Sequence, residues 1–278
     1  MDLTIVIVSF KSEDILHRCI KSIDKKYPII VVENSIDKKL KLELEQKYQN
    51  VNCILPKENL GYGGGNNLGL SKVKTNYTLI LNPDVILMEN SIENFFITVS
   101  KVPNFGIIAP ISANERYDNF NHEKDLNIKE VENVKGFAMF LNMKNLEKSN
   151  FFDDNFFLYL EEIDLCKRVR LMDVKIFIDP SIKVEHFGGT SHNSEINKPM
   201  ELSRNWHWMW SSFYFNKKHY GYLFALIKIF PKFFSSLFKF IFYLIIFKKN
   251  KSDIYKYRLL GIINSVLLKK SWYRPFLN

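Results

Sequence analysis

The chain contains few cysteines, and their spacing excludes two classes of protein. Its three cysteines, Cys19, Cys53 and Cys166, are odd in number and far apart. They match neither the disulfide framework of a small secreted domain nor the paired spacing of a zinc site. We therefore expect a reduced, cytosolic setting for the chain.

The N-terminus lacks the features of a secretory signal. Neither a basic first segment nor a small-residue cleavage site precedes the apolar run Leu3–Val8. We expect this run to be a first β-strand. The chain also lacks internal repeats and low-complexity linkers, and its 278 residues are 46% hydrophobic and 25% charged. This composition is typical of a globular protein with a substantial core.

Acidic residues are scarce in one part of the chain. The segment 198–278 holds 15 of the 39 basic residues and 2 of the 30 acidic residues. Its net charge is therefore +13, whereas residues 1–197 carry −4. Such an asymmetry indicates an anionic partner, either nucleic acid or a membrane surface.

Apolar segments alternate with amphipathic ones over the first hundred residues. The predicted strands are Leu3–Phe10, Ile29–Val32, Val51–Leu55 and Tyr77–Leu81, and the predicted helices are Ser12–Ile23, Leu40–Tyr48 and Asn66–Val73. Later strands are expected at Gly106–Pro110, Ala138–Asn142 and Lys175–Ile178, with a helix beginning near Glu161. This alternation predicts a doubly wound α/β domain, in which ligands bind beyond the carboxyl ends of the strands.

No lysine-free apolar stretch in the C-terminal region reaches the length of a membrane span, which is about 20 residues. The segment Tyr222–Phe247 is rich in Phe, Leu and Ile, but three lysines and a proline interrupt it. We favour amphipathic helices in the membrane interface, with Lys248, Lys249 and Lys251 at the headgroups. The alternatives are a helical subdomain of ordinary packing and a span through Phe233–Phe247.

Polar residues follow several predicted strands. Ser9 and Phe10 end the first strand and Glu33 ends the second, where a hydroxyl and a carboxylate suit a ribose or base. Capping and turn formation are the alternative roles. Asp84 follows Tyr77–Leu81 and offers a hard oxygen ligand for Mg²⁺ or Mn²⁺ that also contacts substrate phosphates. His186 is a candidate for a further metal ligand.

A glycine-rich segment spans Asn59–Gly69 and includes Gly64 and Asn67. It lacks the Gly-Lys-Ser/Thr ending of a P-loop, and Asn66 stands where a dinucleotide fingerprint needs glycine. We expect a loop that leads into a helix and offers backbone amides to an anion. The alternative is a structural turn.

An acidic cluster follows the apolar run Phe156–Leu160. Burial and mutual repulsion raise carboxyl pKa values, which suits a general base. On a helix, Glu161 and Asp164 share a face, and so do Asp164 and Arg168, whereas Glu162 lies elsewhere. This spacing predicts one carboxylate held by Arg168 and another available for chemistry. The alternative is a solvated helix start.

Together these segments resemble inverting glycosyltransferases of family 2, especially the bacterial rhamnosyltransferase-like branch. The segments that carry the resemblance are Val8–Phe10, Val31–Ser35, Asn59–Gly69, Leu81–Asp84, Gly136–Ala138, Phe157–Arg168, and His186 with Gly189 and Ser191. The resemblance implies a GT-A fold, an α/β architecture with a Rossmann-like mixed sheet flanked by helices. We expect this domain at residues 1–205, followed by a basic amphipathic helical region at 206–278.

The resemblance also implies roles for individual residues. Asp84 is expected on the metal and diphosphate, with His186 completing the metal site, and Asn82 replaces the first aspartate of the family's Asp-X-Asp. Glu162 stands where the family places its catalytic base, usually an aspartate. The expected nucleotide-binding residues are Ser9, Phe10, Glu33, Asn59, Gly64, Asn67, Asn82 and Asp84. Residues expected to contact the acceptor or sugar, or to support the site, are Gly136, Glu161, Asp164 and Arg168.

The implied reaction moves a sugar, with rhamnose as the candidate, from a dTDP- or UDP-sugar to a hydroxyl group, with Mg²⁺ or Mn²⁺ as cofactor. The expected acceptor is a lipid-linked glycan at the cytoplasmic face of the cell membrane, in surface polysaccharide synthesis. The chain could also form a homodimer. A nucleotidyltransferase and a non-catalytic membrane-associated scaffold are the competing functions. Phenylalanines among spaced lysines suit lipid better than nucleic acid.

Overall fold

The computed structural model describes residues 2–112, 127–187 and 197–274. Two compact units divide the chain. The first comprises Met1–Asp153 and Glu162–Asn193, and the second comprises Asp154–Glu161 and Ser194–Asn278. The sequence-based boundary at 205/206 stays a prediction.

A mixed sheet forms the centre of the first unit. Within the described residues its nine strands are β1 Leu3–Ser9, β2 Ile29–Glu33, β3 Val51–Ile54, β4 Tyr77–Leu81, β5 Val85–Leu87, β6 Phe105–Ser112, β7 Lys129–Glu130, β8 Ala138–Asn142 and β9 Lys175–His186. The strand order is β3-β2-β1-β4-β8-β6-β9-β5, and β7 pairs with β9. Strands β1 to β4 are parallel, whereas β8 runs antiparallel to both β4 and β6.

Helices of the first unit connect these strands. They are α1 Glu13–Lys21, α2 Lys38–Lys47, α3 Gly61–Leu70, α4 Ser91–Lys101, α5 Met143–Leu146 and α6 Glu161–Leu171. Strands β1, β2 and β4 are almost completely buried because helices cover both faces of the sheet, which explains their continuous apolar runs. Because β2, β1 and β4 are neighbouring parallel strands, their carboxyl ends lie side by side at one edge of the sheet.

Several elements differ from the predictions. The strand predicted to end at Ile178 continues through Asp179 and Pro180 to His186. A shift in the register between β6 and β9 accompanies the proline, so the ladder continues on its far side. The short strand β5 and helix α4 were missed, since Val85–Leu87 has only three residues and the sequence offers no clear alternation there.

The second unit contains three long helices, α7 Asn197–Tyr220, α8 Tyr222–Ile245 and α9 Lys249–Val266. Gly221 adopts φ +91° between α7 and α8, a left-handed conformation that favours glycine. Helix α9 lies very close to α7, because a Cβ atom at Gly261 would come within 2.3 Å of the Trp206 carbonyl oxygen. Across the described residues, no helix is both long and apolar enough to cross a membrane.

Candidate active site

The ends of β1 and β2 meet in a buried hydrogen-bonded pair. The Ser9 hydroxyl donates to Glu33 Oε2, and the backbone N–H of Ser35 donates to Glu33 Oε1 at 2.7 Å. Ser9 and Glu33 are fully buried. Burial raises the pKa of the Glu33 carboxyl, and the hydrogen bonds from Ser35 and Ser9 partly offset this. The pair lies at the sheet edge where we predicted nucleoside binding. The next residue, Phe10, is half-buried.

Asn34 connects the end of β2 to the glycine-rich segment. Its side-chain amide donates to the Gly61 carbonyl at 2.9 Å, and its backbone N–H donates to the Ser9 carbonyl at 2.9 Å. The Asn59 side chain accepts from the Gly61 N–H at 2.9 Å. Asn59 therefore satisfies a backbone donor at the start of α3, and its predicted contact with the nucleoside stays a prediction.

The glycine-rich segment is helical, so the prediction that it forms a loop before the helix was wrong. Helix α3 begins at Gly61, and Gly64 lies inside it. A Cβ atom at Gly65 would come within 2.8 Å of Val8 Cγ1, and one at Gly69 within 2.5 Å of Val6 Cγ1. These two glycines therefore let α3 pack closely on β1, a packing role that the sequence alone does not distinguish from anion binding.

Asn67 binds a backbone segment of the same unit. Its amide nitrogen donates to the Phe152 carbonyl at 2.8 Å, and its amide oxygen accepts from the Phe152 N–H at 3.1 Å. This double contact holds the segment that precedes α6. The predicted nucleotide contacts of Asn67 and Gly64 stay predictions.

Asp84 and His186 lie together at the sheet edge. Asp84 is 2% exposed, and its Oδ1 atom has no hydrogen-bond partner among the described residues. The His186 Nε2 atom lies 3.5 Å from that oxygen, because β5 pairs antiparallel with β9 and aligns Val85 with His186. The Phe137 ring stacks on the imidazole, with ring centres 4.6 Å apart. The structure thus places together two residues that are 102 positions apart in the sequence.

This pair fits a divalent metal ion. A buried carboxylate oxygen without a hydrogen bond is costly to keep desolvated, and a cation would satisfy it. One carboxylate and one imidazole form a donor set compatible with Mn²⁺, completed by phosphate oxygens and water. Asn82 precedes Asp84 in a turn, where its carbonyl accepts from the Val85 N–H at 3.2 Å. Asp84 is thus the one carboxylate of the Asn82–Asp84 segment.

Gly136 lies against Tyr62 of α3. The Tyr62 hydroxyl donates to the Gly136 carbonyl oxygen, and a Cβ atom at Gly136 would come within 3.0 Å of that hydroxyl. Gly136 therefore has a supporting role in which a side chain would displace Tyr62. The motif residues Gly189 and Ser191 lie outside the described residues.

Glu162 lies in the first turn of α6 and is half-buried. Burial raises the pKa of its carboxyl above the ordinary value. The backbone N–H groups of Glu162 and Ile163 and the positive charge of Lys135 act in the opposite direction. A carboxylate with a raised pKa at a helix start can accept a proton from a hydroxyl group.

Asp164 and Arg168 form the ion pair that their helical spacing predicts. Arg168 Nε lies 2.7 Å from Asp164 Oδ2, and the guanidinium also donates to the carbonyl oxygens of Ser149 and Phe151. Asp164 is fully buried, so the pair anchors α6 to the preceding segment. Glu161 is 4% exposed. The catalytic or supporting roles of these residues stay predictions.

Three residues near the site were not predicted from the sequence. Asn34 links the end of β2 to the Gly61 carbonyl. Tyr62 donates a hydrogen bond to the Gly136 carbonyl, and Phe137 stacks on His186. All three lie inside motifs that were recognised, but their contacts depend on distant segments. Only the paired strands bring those segments together.

Two curated relatives match the chain at low identity. The low-salt glycan biosynthesis hexosyltransferase Agl10 of Haloferax volcanii is 27% identical over 198 residues, which are 63% of this chain and 64% of that protein. The rhamnosyltransferase WbbL of Escherichia coli K12 is 24% identical over 241 residues, which are 73% of this chain and 88% of that protein. The chain therefore spans less than two thirds of the Haloferax protein's length.

Solved structures share the fold. The mannosyltransferase PcManGT of Pyrobaculum calidifontis, in complex with GDP-Man and Mn²⁺, has a TM-score of 0.59 at 11% identity, covering 97% of this chain and 88% of that one. GalNAc-T7 with UDP, GalNAc and Mn²⁺ has a TM-score of 0.57 at 13% identity, covering 66% of this chain and 42% of that one. The predicted GT-A fold is thereby confirmed.

The family comparison agrees with the residues and the fold. The family described as "Glycosyl transferase family 2" matches residues 4–179, which are more than half of the chain and include Ser9, Glu33, Asp84 and Glu162. Hexosyltransferase and rhamnosyltransferase relatives point in the same direction. The predicted resemblance is confirmed, and the chain belongs to glycosyl transferase family 2.

Proposed function

We propose that the protein is a metal-dependent inverting glycosyltransferase that uses a nucleotide diphosphate sugar. The observation that carries this proposal is the buried Asp84 Oδ1, which has no hydrogen-bond partner among the residues that the structure describes and faces His186 at 3.5 Å. It lies at the end of β4, adjacent to β1, whose own end carries the Ser9–Glu33 pair. Metal and nucleoside functions are thus expected on neighbouring strand ends, where α/β sheets bind ligands.

Asp84 and His186 would hold Mg²⁺ or Mn²⁺. The ion, when bound, supplies positive charge that stabilises the leaving diphosphate. Because Asp84 is the one carboxylate of its motif, much of the ion's coordination would come from the diphosphate itself. Metal affinity should therefore rise when the nucleotide is present.

Glu162 acts as the general base. Its carboxylate takes the proton of the acceptor hydroxyl, and that oxygen forms a bond to the anomeric carbon. The bond from the anomeric carbon to the diphosphate breaks on the opposite face, and its electron pair leaves with the diphosphate. The configuration at the anomeric carbon is inverted in this single displacement. The raised pKa of Glu162 brings its proton affinity closer to what this transfer needs.

The donor is proposed as a dTDP- or UDP-hexose, with rhamnose as the first candidate. Ser9, Glu33 and Asn59 contact the nucleoside in this proposal. Support comes from the names of two relatives, a hexosyltransferase and a rhamnosyltransferase. A thermal-shift comparison of dTDP-rhamnose, UDP-sugars and GDP-mannose, each with Mn²⁺, identifies the donor as the one that raises the melting temperature most.

A change at Asp84 tests the metal assignment. Asp84→Asn keeps the size of the side chain but removes the charge, so Mn²⁺-dependent binding of the nucleotide should fall about tenfold or more. Isothermal titration with and without Mn²⁺ measures this fall. Asp24→Asn, an exposed aspartate paired with Lys26, is the control and should bind normally. Unchanged Mn²⁺-dependent affinity in Asp84→Asn would remove Asp84 from the metal site.

The acceptor is proposed as a lipid-linked glycan at the cytoplasmic face of the cell membrane, in surface polysaccharide synthesis. Support comes from α8, whose outer face is apolar. Its exposed apolar side chains include Leu223, Ile227, Phe230, Phe234, Phe238, Ile241, Phe242, Leu244 and Ile245. A contiguous exposed apolar face of this kind marks a surface for a protein or a membrane.

The cations of α8 and α9 favour an anionic membrane. Five of them lie over aromatic rings at 5.3–5.9 Å, and none of the five forms an ion pair with a carboxylate of the described residues. They are Lys228, Lys232, Lys239, Lys251 and Arg258. Apolar rings with adjacent unpaired cations are the composition of an interfacial helix on anionic lipid.

A further inference from the structure

Three potential metal ligands meet on the outer side of α1 and α2. Glu13 and His17 are four residues apart on α1 and so lie on one face of that helix, and Glu43 projects from α2. His17 Nε2 lies 3.1 Å from Glu43 Oε1. One ligand atom from each of the three side chains lies within 4.8 Å of the other two.

His17 is held in an orientation that suits a ligand. Its side chain is 12% exposed, and its Nδ1 atom lies 3.1 Å from the Tyr48 hydroxyl. When Nδ1–H donates to Tyr48, the Nε2 lone pair points toward Glu43. The Nε2 atom is buried and makes no hydrogen bond among the described residues. A metal-bound histidine is typically fixed in this way through its second nitrogen.

An ion pair between His17 and Glu43 does not account for Glu13. Lys47 lies 3.6 Å from Glu43 Oε1 and offsets one negative charge. Glu13 has no ion-pair or hydrogen-bond partner within the described part of the chain, so it adds a second carboxylate beside the imidazole. Two carboxylates that converge on one imidazole repel each other unless a cation lies between them.

We propose that Glu13, His17 and Glu43 bind a divalent transition-metal ion of the zinc type. An imidazole with two carboxylates is a donor set that suits Zn²⁺, with water in the remaining position. Glu13 is exposed, so its side chain is free to rotate toward the other two ligands.

This site differs from the pair formed by Asp84 and His186. On the other flank of α1, Ile15 and Arg18 line a cavity of about 190 Å³ together with Asp84. His17 instead faces Glu43 and Tyr48 at α2. A bound ion would fasten α1 to α2, the helices that follow the strands ending in Ser9 and Glu33. It would thereby brace the edge where the nucleoside is expected.

Calorimetric titration of the metal-free full chain with Zn²⁺, without nucleotide, tests the proposal. The wild type should bind one Zn²⁺ per chain, and its melting temperature should rise when Zn²⁺ is added. His17→Gln should abolish this binding, and Glu13→Gln should weaken it about tenfold or more. Glu13 is exposed, so its substitution should leave the fold intact. Co²⁺ should give a visible absorption band in the wild type that His17→Gln lacks.

Two controls separate this site from the candidate active site. Asp14→Asn changes the neighbouring exposed carboxylate on α1 and should bind Zn²⁺ like the wild type. Asp84→Asn should also keep the zinc stoichiometry. The proposal is overturned if the wild type binds no Zn²⁺, if Glu13→Gln and His17→Gln bind it normally, or if Asp84→Asn alone loses it. None of these outcomes depends on the donor or on turnover.

Discussion

The charged side chains of the two units have different kinds of neighbour. In the first unit, the buried carboxylates near the strand ends have defined neighbours: Glu33 has Ser9 and Ser35, Asp84 has His186, and Asp164 has Arg168. In the second unit, Lys232, Lys239 and Arg258 lie over aromatic rings and form no ion pair with a carboxylate of the described residues.

The difference follows from what each region would bind. A small polar ligand requires donors and acceptors at fixed positions, and each of these three carboxylates has a fixed position beside a defined neighbour. A lipid surface, the partner proposed for the second unit, has no fixed pattern of donors, so binding to it would require exposed apolar area and positive charge. In the first unit, side chains with fixed neighbours indicate the expected chemistry. In the second unit, the amino-acid composition of the surface indicates the expected binding to lipid.

The largest expected effect is at Glu162, the proposed base. Glu162→Gln removes the proton acceptor while keeping the shape of the side chain, so turnover should fall about 10²–10⁴-fold. Nucleotide binding should persist, because the charges at Asp84 and His186 are unchanged. Steady-state kinetics with parallel titration of the nucleotide separates the two effects. Undiminished turnover would show that Glu162 is not the base, and that a carboxylate at a defined position in the first unit does not by itself indicate a catalytic role.

A smaller effect is expected where α3 packs on β1. Gly69→Ala forces a Cβ atom to 2.5 Å from Val6 Cγ1, so it should lower the free energy of unfolding by about 1–3 kcal/mol. Thermal or denaturant unfolding measures the loss. Adding Val6→Ala to the Gly69→Ala variant opens space at that contact and should recover part of the lost stability. If the double variant is no more stable than the sum of the single changes predicts, the close contact is not the cause.

If the apolar face of α8 binds lipid as proposed, substitution of its side chains should weaken that binding. Phe234 and Phe238 are 50% and 71% exposed on α8, so replacing both with Ser should reduce binding to anionic vesicles about tenfold or more. Vesicle co-sedimentation measures the partition. Leu171→Ser, at a side chain 76% exposed on α6 of the first unit, is the matched control. Equal partition of all three proteins would show that the apolar face of α8 does not contact lipid.

The smallest expected effect is a shift in the pH profile. Lys135 lowers the pKa of Glu162, so Lys135→Ala should raise that pKa further. The base works only when deprotonated, and kcat/KM should therefore fall at a higher pH than in the wild type as the solution is acidified. Lys129→Ala, which removes a different lysine of the first unit, is the control. A shift in the opposite direction would contradict the placement of Lys135 beside the base.

Much of the fold follows from the sequence. The apolar runs at Leu3, Ile29 and Tyr77 locate three parallel strands, because strands buried on both faces need continuous apolar residues. The helical spacing of Asp164 and Arg168 predicts their ion pair, which is present. The helical structure of Gly61–Gly65 could not be predicted in this way. Glycine has a low helix propensity, so the local sequence disfavours this helix. Its stability depends instead on the close contact of α3 with Val6 and Val8.

The sequence by itself determined the family, the alternation of strands and helices, and the residues expected at the strand ends. It also determined the charge asymmetry of the C-terminal region. Only the tertiary structure decided which of these residues are neighbours. Asp84 meets His186 because β5 pairs with β9, and His17 meets Glu43 because α1 lies beside α2. Local patterns depend on residues a few positions apart, whereas such contacts depend on strand order and helix packing across the whole unit.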